Sequence, residues 1–213
     1  MITITNLVSD CGFENSAWSG ATYSTTEKHS GTRSLHLPAN TTSVPTLTVG
    51  VTPIVGHKYY ASRWVKSNGE NSPADCRWEW FAGDGDGLNF IFGWNRGYYP
   101  DWSFQSVVYT INTVNGSGHY IRCFVVNSTH DFYVDDMVLV DLTESFGAGN
   151  EPSQAWCDRN IPFFSGSTTV DNPLSMRVKV SGEWKEANKM YVKNEGTWKE
   201  VIGIKSKVGG AWL

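Results

Sequence analysis

The sequence predicts an all-β fold, a sandwich or jelly roll of antiparallel strands, over about the first two thirds of its 213 residues. Residues 1–142 consist of short segments in which apolar and polar residues alternate, separated by Gly, Pro, Asn and Ser, and no segment there has a helical period of useful length. Six or more antiparallel strands are typical of a sandwich or jelly roll. The best segments are 46–53, 58–67, 76–83, 103–112, 119–127 and 132–141.

The segment 132–141 is the predicted closing strand of this domain. Four of its apolar residues have strand spacing and are expected to share one face: Phe132, Val134, Val138 and Val140. Asp135 and Asp136 interrupt the apolar run. Because adjacent strand residues point to opposite faces, at least one of the two carboxylates must be solvated, hydrogen-bonded or metal-bound. The composition changes abruptly after Leu142, where we place the end of the domain.

Two further regions follow the predicted sandwich. Residues 143–172 are expected to be a connector with a short helix, which Asn150 caps and Glu151 and Pro152 begin. Residues 173–213 contain a repeat, since VKVSGEWKEANKMY (178–191) and VKNEGTWKEVIGIK (192–205) align at a period of fourteen residues. SKVGGAWL (206–213) is a partial third copy, and the Trp residues in register are Trp184, Trp198 and Trp212. Each unit suits a strand, a Gly turn and a strand, so a small region of β-hairpins is predicted.

Four segments together resemble the carbohydrate-binding modules of the galactose-binding-like jelly-roll superfamily: NLVSDCGFENSAWSG, HSGTRSLHL, KYYASRWVKS and FYVDDMVLVD. The resemblance implies a structural calcium ion between the early Phe-Glu loop and the last strand. Its ligands here would be Glu14, Asp135 or Asp136, and backbone carbonyls near Thr32. Calcium takes about six to eight oxygen ligands, and joining distant segments would stabilise the domain. The alternative is that Glu14 and Asp135 are solvated residues at the rim.

The segment 77–104 is the richest in aromatic residues. Sugars pack their C–H faces on aromatic rings, and their hydroxyls need polar donors and acceptors at the ring edges. The predicted sugar-binding loop contains Trp94, Asn95, Arg96, Tyr98, Tyr99, Asp101 and Trp102, and Trp78 and Trp80 share one strand face that could extend it. Structural packing is the alternative for these aromatic residues. Arg63 and Trp64 occupy a strand position where related modules sometimes place a sugar-facing residue.

Charge and hydropathy exclude several classes of partner. Residues 1–172 carry nine Lys and Arg against seventeen Asp and Glu, whereas 173–213 carry eight against four. No basic run or stripe is present, so we expect no nucleic-acid partner. No apolar stretch approaches the roughly eighteen residues of a membrane helix, and the N-terminus lacks the pattern of an export signal. We therefore expect no membrane insertion.

The sequence does not indicate an enzyme. It has no nucleophile-elbow, zinc-protease, phosphate-loop or dinucleotide-binding pattern, and its five His residues are scattered. Glu79 could pair with Asp75, Asp84 or Asp101 as glycosidase carboxylates, but nothing in their spacing selects a pair. The four Cys residues are also scattered, which argues against zinc and favours free or buried thiols.

The segment FGAGNEPSQAWCDRNIPFFSG resembles one that recurs in bacteriophage tail proteins and prophage-encoded fibres, directly after a jelly-roll module. Similar G-x-W-K repeats end many phage fibre proteins. These resemblances imply a tail protein of the virion, made in the host cytoplasm, that assembles with other tail proteins and binds a host cell-surface polysaccharide without catalysis. Two alternatives stay open: a purely structural tail or baseplate protein, and a fragment of a polysaccharide depolymerase.

The repeats predict a homotrimer. Hairpins this short cannot bury three Trp side chains alone, and a threefold axis would bring three copies of each hairpin together and cover their exposed edges. We expect light scattering to report a trimer that is lost when the residues after Asp171 are deleted, while the truncated sandwich stays folded. A full-length chain that is monomeric at micromolar concentration would contradict this prediction.

Overall fold

The computed structural model describes residues 1–43, 45–48, 51–69, 77–82, 88–92, 99–114, 119–126 and 129–171, and the paired strands of the last part of the chain. The chain forms two compact units, Met1–Asp171 and Asn172–Leu213. The strands of the first unit are β1 (Ile2–Thr5), β2 (Thr22–Ser24), β3 (Ser34–Leu37), β4 (Thr42–Ser43), β5 (Thr46–Thr48), β6 (Lys58–Ser67), β7 (Arg77–Ala82), β8 (Leu88–Phe92), β9 (Ser103–Thr110), β10 (His119–Val126), β11 (Phe132–Asp141) and β12 (Ser167–Val170). Its helices are α1 (Leu142–Phe146) and α2 (Gln154–Asn160).

Two antiparallel sheets form the sandwich. One sheet has the strand order β2-β3-β11-β6-β9, and the other has the order β4-β10-β7-β8, with β5 also paired to β10. Buried side chains from both sheets meet in one inner core, which includes Leu35, Ala61 and Val134 from the first sheet and Ile121 and Val125 from the second. The prediction of an all-β sandwich is therefore confirmed, and the bounds predicted for β6 and β11 agree with the structure.

A β-bulge divides β11 into two halves. The pairing with β6 runs from Phe132↔Ser67 to Asp135↔Trp64 and resumes at Val138↔Ser62, so Asp136 and Met137 together face a single residue of β6. Asp136 has a φ of 48°, in the left-handed region that suits the first position of such a bulge. The extra residue exchanges the faces of all residues that follow it.

The bulge corrects the predicted faces of β11. Phe132 and Val134 lie in the inner core with Met137 and Leu139. Val138 and Val140, which the alternation placed on the same face as Phe132, lie instead in a second apolar cluster on the opposite side of the sheet. Simple alternation fails here because its period of two holds only while each residue of one strand faces one residue of the next.

Asn6 compensates for the hydrogen bonds that the bulge interrupts. Its side chain is 5% exposed, and its amide nitrogen donates to the carbonyl of Met137 at 3.0 Å. Its amide oxygen accepts from the backbone nitrogens of Leu139, at 3.0 Å, and Val8, at 3.1 Å. The backbone nitrogen of Met137 donates to the carbonyl of Cys11 at 2.9 Å. Buried backbone groups need such partners, so the N-terminal segment is joined to the centre of β11.

Residues 143–171 belong to the sandwich unit, whose boundary lies after Asp171 rather than near Leu142. The second apolar cluster explains this, because it joins side chains of β6 and β11 to side chains of both helices and of the β1–β12 pair: Ile4, Tyr60, Val138, Val140, Leu142, Phe146, Cys157, Ile161 and Val170. The segment therefore covers part of the outer face of the sheet. Neither described helix is long and apolar enough to span a membrane.

The predicted helix begins later than expected. Asn150, Glu151 and Pro152 precede α2, and the N-cap is Ser153, whose side chain accepts from the backbone nitrogen of Trp156 at 3.3 Å. The Glu151 carboxylate accepts instead from the Thr143 hydroxyl at 2.8 Å and from Lys58 at 3.3 Å. These contacts hold the loop before α2 against the sandwich.

The described cysteines are Cys11, Cys123 and Cys157, and all three are buried free thiols. Cys76 lies outside the described residues.

The second unit contains, in its described part, hairpins that share one register. They are β13 (Met176–Val180) with β14 (Glu183–Ala187), β15 (Tyr191–Asn194) with β16 (Thr197–Glu200), and β17 (Lys207–Val208) with β18 (Ala211–Trp212). The equivalent pairs are Lys179↔Trp184, Lys193↔Trp198 and Lys207↔Trp212. Two residues ending in Gly separate the strands of each hairpin, a length and composition that favour tight hairpin turns.

Deleting Met137 tests the bulge. The deletion removes the extra residue, so β11 becomes a regular strand in which Leu139 and Val138 keep their faces but Asp136 takes the inward position of Met137. A carboxylate buried there, away from His29 and Ser30, is unfavourable, so we expect a larger loss of stability than in Met137→Ala. Met137→Ala is the control, because it keeps the register and should lower the free energy of unfolding by about 2–5 kcal/mol in a transition that stays cooperative. Urea unfolding followed by Trp fluorescence measures both. A deletion variant that is as stable as Met137→Ala would contradict the role of the bulge.

Candidate functional site

An open groove of ≈ 360 Å³ is present on the outer side of the first sheet. Strands β6 and β9, the bulge of β11, and α2 with the residues that follow it all contribute to its lining. The lining residues are Ser62, Trp64, Phe104, Asp136, Asp158, Ile161, Pro162 and Phe163. The groove therefore combines aromatic rings with carboxylates and a hydroxyl.

The alternation of β6 places Ser62 and Trp64 at this groove. Tyr59, Ala61 and Val65 point into the inner core, so the residues of the other parity face outward. Tyr60 lies in the second apolar cluster, and Ser62 and Trp64 continue the same face beyond that cluster. The outer face of β6 thus changes from covered to open along its length.

Aromatic rings form a continuous cluster at one wall of the groove. The Trp64 ring stacks on His29, with centroids 3.9 Å apart, and lies 5.4 Å from Phe104. Trp102 meets the same His29 ring edge-on at 5.8 Å. Phe104 is 41% exposed, and Phe163 across the lining is 40% exposed. Exposed rings at a concave surface are typical of a ligand-binding site.

The two carboxylates of the groove are held differently. Asp136 is 3% exposed, and its oxygens contact the His29 ring nitrogen Nδ1 and the Ser30 hydroxyl, each at 2.6 Å. Asp158 lies at the surface on α2 and accepts a hydrogen bond from the Tyr60 hydroxyl at 3.1 Å. Burial raises the pKa of Tyr60, and the charge of Asp158 raises it further, so Tyr60 stays protonated and donates to Asp158.

The loop before β3 is tied to the bulge by the neighbouring carboxylate. Asp135 is fully buried, and one of its oxygens accepts from the backbone nitrogens of His29, at 2.8 Å, and Ser30, at 3.1 Å. Its other oxygen accepts from the backbone nitrogen of Asp136 at 2.9 Å. Because the bulge interrupts alternation, Asp135 and Asp136 both reach the same loop although they are adjacent in the strand. The positions of His29 and of the ring stacked on it depend on these contacts.

Glu14 binds the same loop farther along the chain. Its carboxylate accepts from the backbone nitrogen of Thr32 at 2.8 Å and from the Thr32 hydroxyl. A Cβ atom at Gly31, whose φ is 60°, would collide with this carboxylate. These hydrogen bonds lower the pKa of Glu14, and the hydrogen bond from the Thr32 hydroxyl contributes most to the change.

The residues predicted as calcium ligands are hydrogen-bonded to protein donors in this structure. Glu14 binds Thr32, while Asp135 and Asp136 bind His29 and Ser30, and in each case N–H or O–H donors occupy the carboxylate oxygens. Within the described residues, no group of three or more His, Cys, Asp or Glu side chains could hold a metal ion. The early loops are joined to β11 by hydrogen bonds, and calcium at these residues stays a prediction.

The predicted sugar-binding loop is described only in part. Trp94, Asn95, Arg96 and Tyr98 lie outside the described residues. Tyr99 packs against the inner core and its hydroxyl accepts from Gln105 at 3.3 Å, whereas Asp101 is exposed. Among the described residues of the predicted loop, Trp102 belongs to the aromatic cluster.

The strand residues predicted to extend the sugar-binding loop, or to face a sugar, do not all lie at the groove. Trp78 pairs with Cys123 and Trp80 with Ile121, both of which are buried in the inner core, and the side chains of the two Trp residues lie outside the described part. Arg63 is fully buried and donates to Gln105 at 3.0 Å. Its neighbour Trp64 lines the groove.

Sequence reasoning missed His29, Ser62 and Phe104, and also the part of the groove lining between Asp158 and Phe163. The aromatic pair Phe163 and Phe164 in the predicted connector was a signal that this segment packs or binds. Nothing in the sequence pairs it with β6 and β9, because the contact depends on how the segment folds back on the sheet.

The fold is shared with known carbohydrate-binding modules. A structure described as family 16 carbohydrate-binding module 2 has a TM-score of 0.50 at 21% identity, covering 64% of this chain and 100% of that chain. The CBM22-1 xylan-binding domain of Paenibacillus barcinonensis Xyn10C has a TM-score of 0.48 at 16% identity, covering 61% and 90%. The enzymatically active domain of tailspike protein 4 of bacteriophage CBA120 has a TM-score of 0.42 at 17% identity, covering 63% and 21%. No protein-family model and no curated protein matches the chain. The chain therefore has the jelly-roll fold of carbohydrate-binding modules.

The buried Asp135 predicts an unusual dependence of stability on pH. Burial is the main reason that its pKa rises to about 6, and the Asp136 charge adds to the rise. The folded state then binds more protons than the unfolded state between pH ~4 and ~6, so this group's contribution to stability falls as pH rises through that range, by about 3 kcal/mol in all. Asp135→Asn should lose this dependence.

The measurement is the difference in free energy of unfolding between wild type and Asp135→Asn at several pH values. The difference cancels the contributions of carboxylates with lowered pKa values, such as Glu14 and Glu151, which change in the opposite direction. Parallel pH profiles for the two proteins would show that Asp135 titrates normally in the folded state.

Proposed function

We propose that the sandwich binds a polysaccharide of the host cell surface in the groove between β6, β9 and the segment after α2, without catalysis. The observation that carries the proposal is an open groove in which exposed aromatic rings lie beside fixed hydrogen-bonding groups. Its volume falls within the roughly 300–1,000 Å³ of typical small-ligand sites. The jelly-roll fold shared with carbohydrate-binding modules supports this function by analogy.

The aromatic residues supply the surface on which sugar rings would pack. Phe104 and Phe163 are each about 40% exposed, so part of each ring is open to a ligand. Trp64 is half-buried, and its stacking on His29 fixes the ring before any ligand arrives. Rings that are ordered in the free protein lose little conformational entropy on binding, which favours affinity.

The polar residues supply acceptors for sugar hydroxyls. Asp158 is oriented by Tyr60 and exposed, and the Ser62 hydroxyl also belongs to the groove lining. A carboxylate can accept from two neighbouring hydroxyls at once, which suits the vicinal hydroxyls of a pyranose. The groove thus combines apolar contact with directional hydrogen bonds.

The contacts of Asp136 favour binding without hydrolysis. A glycosidase needs one carboxyl group as acid and a second as nucleophile or base, on opposite sides of the scissile bond. Both oxygens of Asp136 already contact His29 and Ser30, which commits the group to holding the loop. The depolymerase alternative predicts release of reducing sugar from host polymer, and we expect none.

The biological context that we propose is a phage or prophage tail, with the protein in the virion and in contact with other tail proteins. The segment 146–166, which resembles phage tail sequences, provides the groove wall from Asp158 to Phe163. The shared register of the C-terminal hairpins supports repeated units that assemble, as in a trimeric fibre. The competing proposal, a purely structural tail protein, requires no glycan binding.

Single substitutions in the groove test the proposed function. Phe104→Ala and Phe163→Ala should each weaken glycan binding by about 1–3 kcal/mol, as loss of an aromatic anchor does, with little effect on stability because both rings are exposed. Ile54→Ala is the matched control, since Ile54 is 46% exposed and does not line the groove. A glycan array identifies the ligand, and titration calorimetry measures its affinity.

A second set of variants separates the groove from the aromatic loop predicted from the sequence. Trp94→Ala should leave affinity unchanged if the groove is the site. If Trp94→Ala abolishes binding while both Phe variants bind as wild type does, the site is the loop at 94–102 instead. No binding to any host glycan would favour the structural alternative.

A further inference from the structure

We infer that the groove selects glycans that carry a positively charged amino group, such as an amino sugar without its N-acetyl group. This inference rests on the proposed function and adds the charge of the ligand to it. Two carboxylates, Asp136 and Asp158, and three aromatic residues line the groove. Among the described lining residues none is Lys or Arg, so nothing there complements an anionic sugar.

Asp158 is the principal anionic group available to a ligand. It lies at the surface, and the hydrogen bond from Tyr60 fixes its carboxylate at the groove while leaving acceptor capacity on its oxygens. An ammonium group donates up to three hydrogen bonds and forms a charge-assisted contact with such a carboxylate. An N-acetyl group is neutral and offers one amide N–H in place of that charge.

The aromatic rings favour the same ligand. A cation within about 6 Å of a ring centroid is attracted by the negative face of the ring. Phe104, Phe163 and Trp64 line the groove beside the carboxylates, so an amino sugar can place its C–H face on one ring and its ammonium group near another. The combination of rings and carboxylates is the chemistry that recognises organic cations.

Within the part of the chain that the structure describes, His29 and Lys66 near the groove are paired with carboxylates. His29 contacts Asp136 at 2.6 Å, and Lys66, the next outward residue of β6 after Trp64, pairs with Glu27 at 2.6 Å. Arg159 is exposed and follows Asp158 on α2, where adjacent residues do not face each other. The excess of Asp and Glu in residues 1–172 adds an attractive field for cations approaching the sandwich.

Matched oligosaccharides test the inference with the full-length protein. The probes are β-1,4-linked oligomers of glucosamine and of N-acetylglucosamine of equal length, at a pH where the free amine is protonated. Titration calorimetry should show the glucosamine oligomer binding about fivefold more tightly, the size expected for one partly exposed ion pair with a cation–π contact. Added salt should reduce the difference, because it screens exposed charges.

Asp158→Asn should remove most of this preference, since it keeps an acceptor for Tyr60 but loses the charge. Glu144→Gln, which removes an exposed carboxylate of α1 outside the groove lining, should leave both affinities unchanged. Thermal melting of both variants controls for folding. Equal or tighter binding of the N-acetylated oligomer, or an Asp158→Asn variant that keeps the preference, overturns the inference.

A glycan array separates failure of this inference from failure of the proposed function. If the protein binds only neutral or acidic glycans, and Phe104→Ala weakens that binding, the preference for amino groups is overturned. The groove would then still be a glycan-binding site. Absence of binding to every glycan would overturn both proposals.

Discussion

The bulge at Asp136 and Met137 is the constraint on which the rest of the first unit depends. One extra residue lets a single strand supply Phe132 and Leu139 to the core between the sheets and Val138 to the cluster on the outer face. The interrupted ladder would leave buried backbone groups without partners, and the Asn6 side chain satisfies two of them. The N-terminal segment, the sandwich and the residues after Leu142 are thereby joined at one point.

The same bulge connects stability to the groove. Holding Asp135 and Asp136 almost without solvent is unfavourable, and the raised pKa of Asp135 records that cost. In return, backbone and side-chain donors of His29 and Ser30 bind the two carboxylates, and His29 stacks on Trp64. A polar network in the core thus orders an aromatic surface that would otherwise be free to move.

The segment after β11 determines which part of the sheet remains accessible. Helices α1 and α2 and the β1–β12 pair cover the outer face around Tyr60 and Val140, but Ser62, Trp64 and Phe104 lie at the open groove. Asp158 and Phe163, at the edge of the covering segment, become the opposite part of the groove lining. A region that looks like a linker by composition is therefore part of both the core and the candidate site.

The sequence by itself determined the all-β class, the bounds of β6 and β11, and the fourteen-residue repeat, because strand alternation and Gly turns are local properties of the chain. The outward position of Trp64 could also be predicted, because it is adjacent to the buried Val65 on β6 and adjacent strand residues point to opposite faces. Only the tertiary structure decided the faces of Val138 and Val140, because one bulged residue inverts every later position of a strand. It also decided the groove, whose residues 62–64, 104, 136 and 158–163 are distant in sequence and meet only when α2 and the residues after it pack on the sheet.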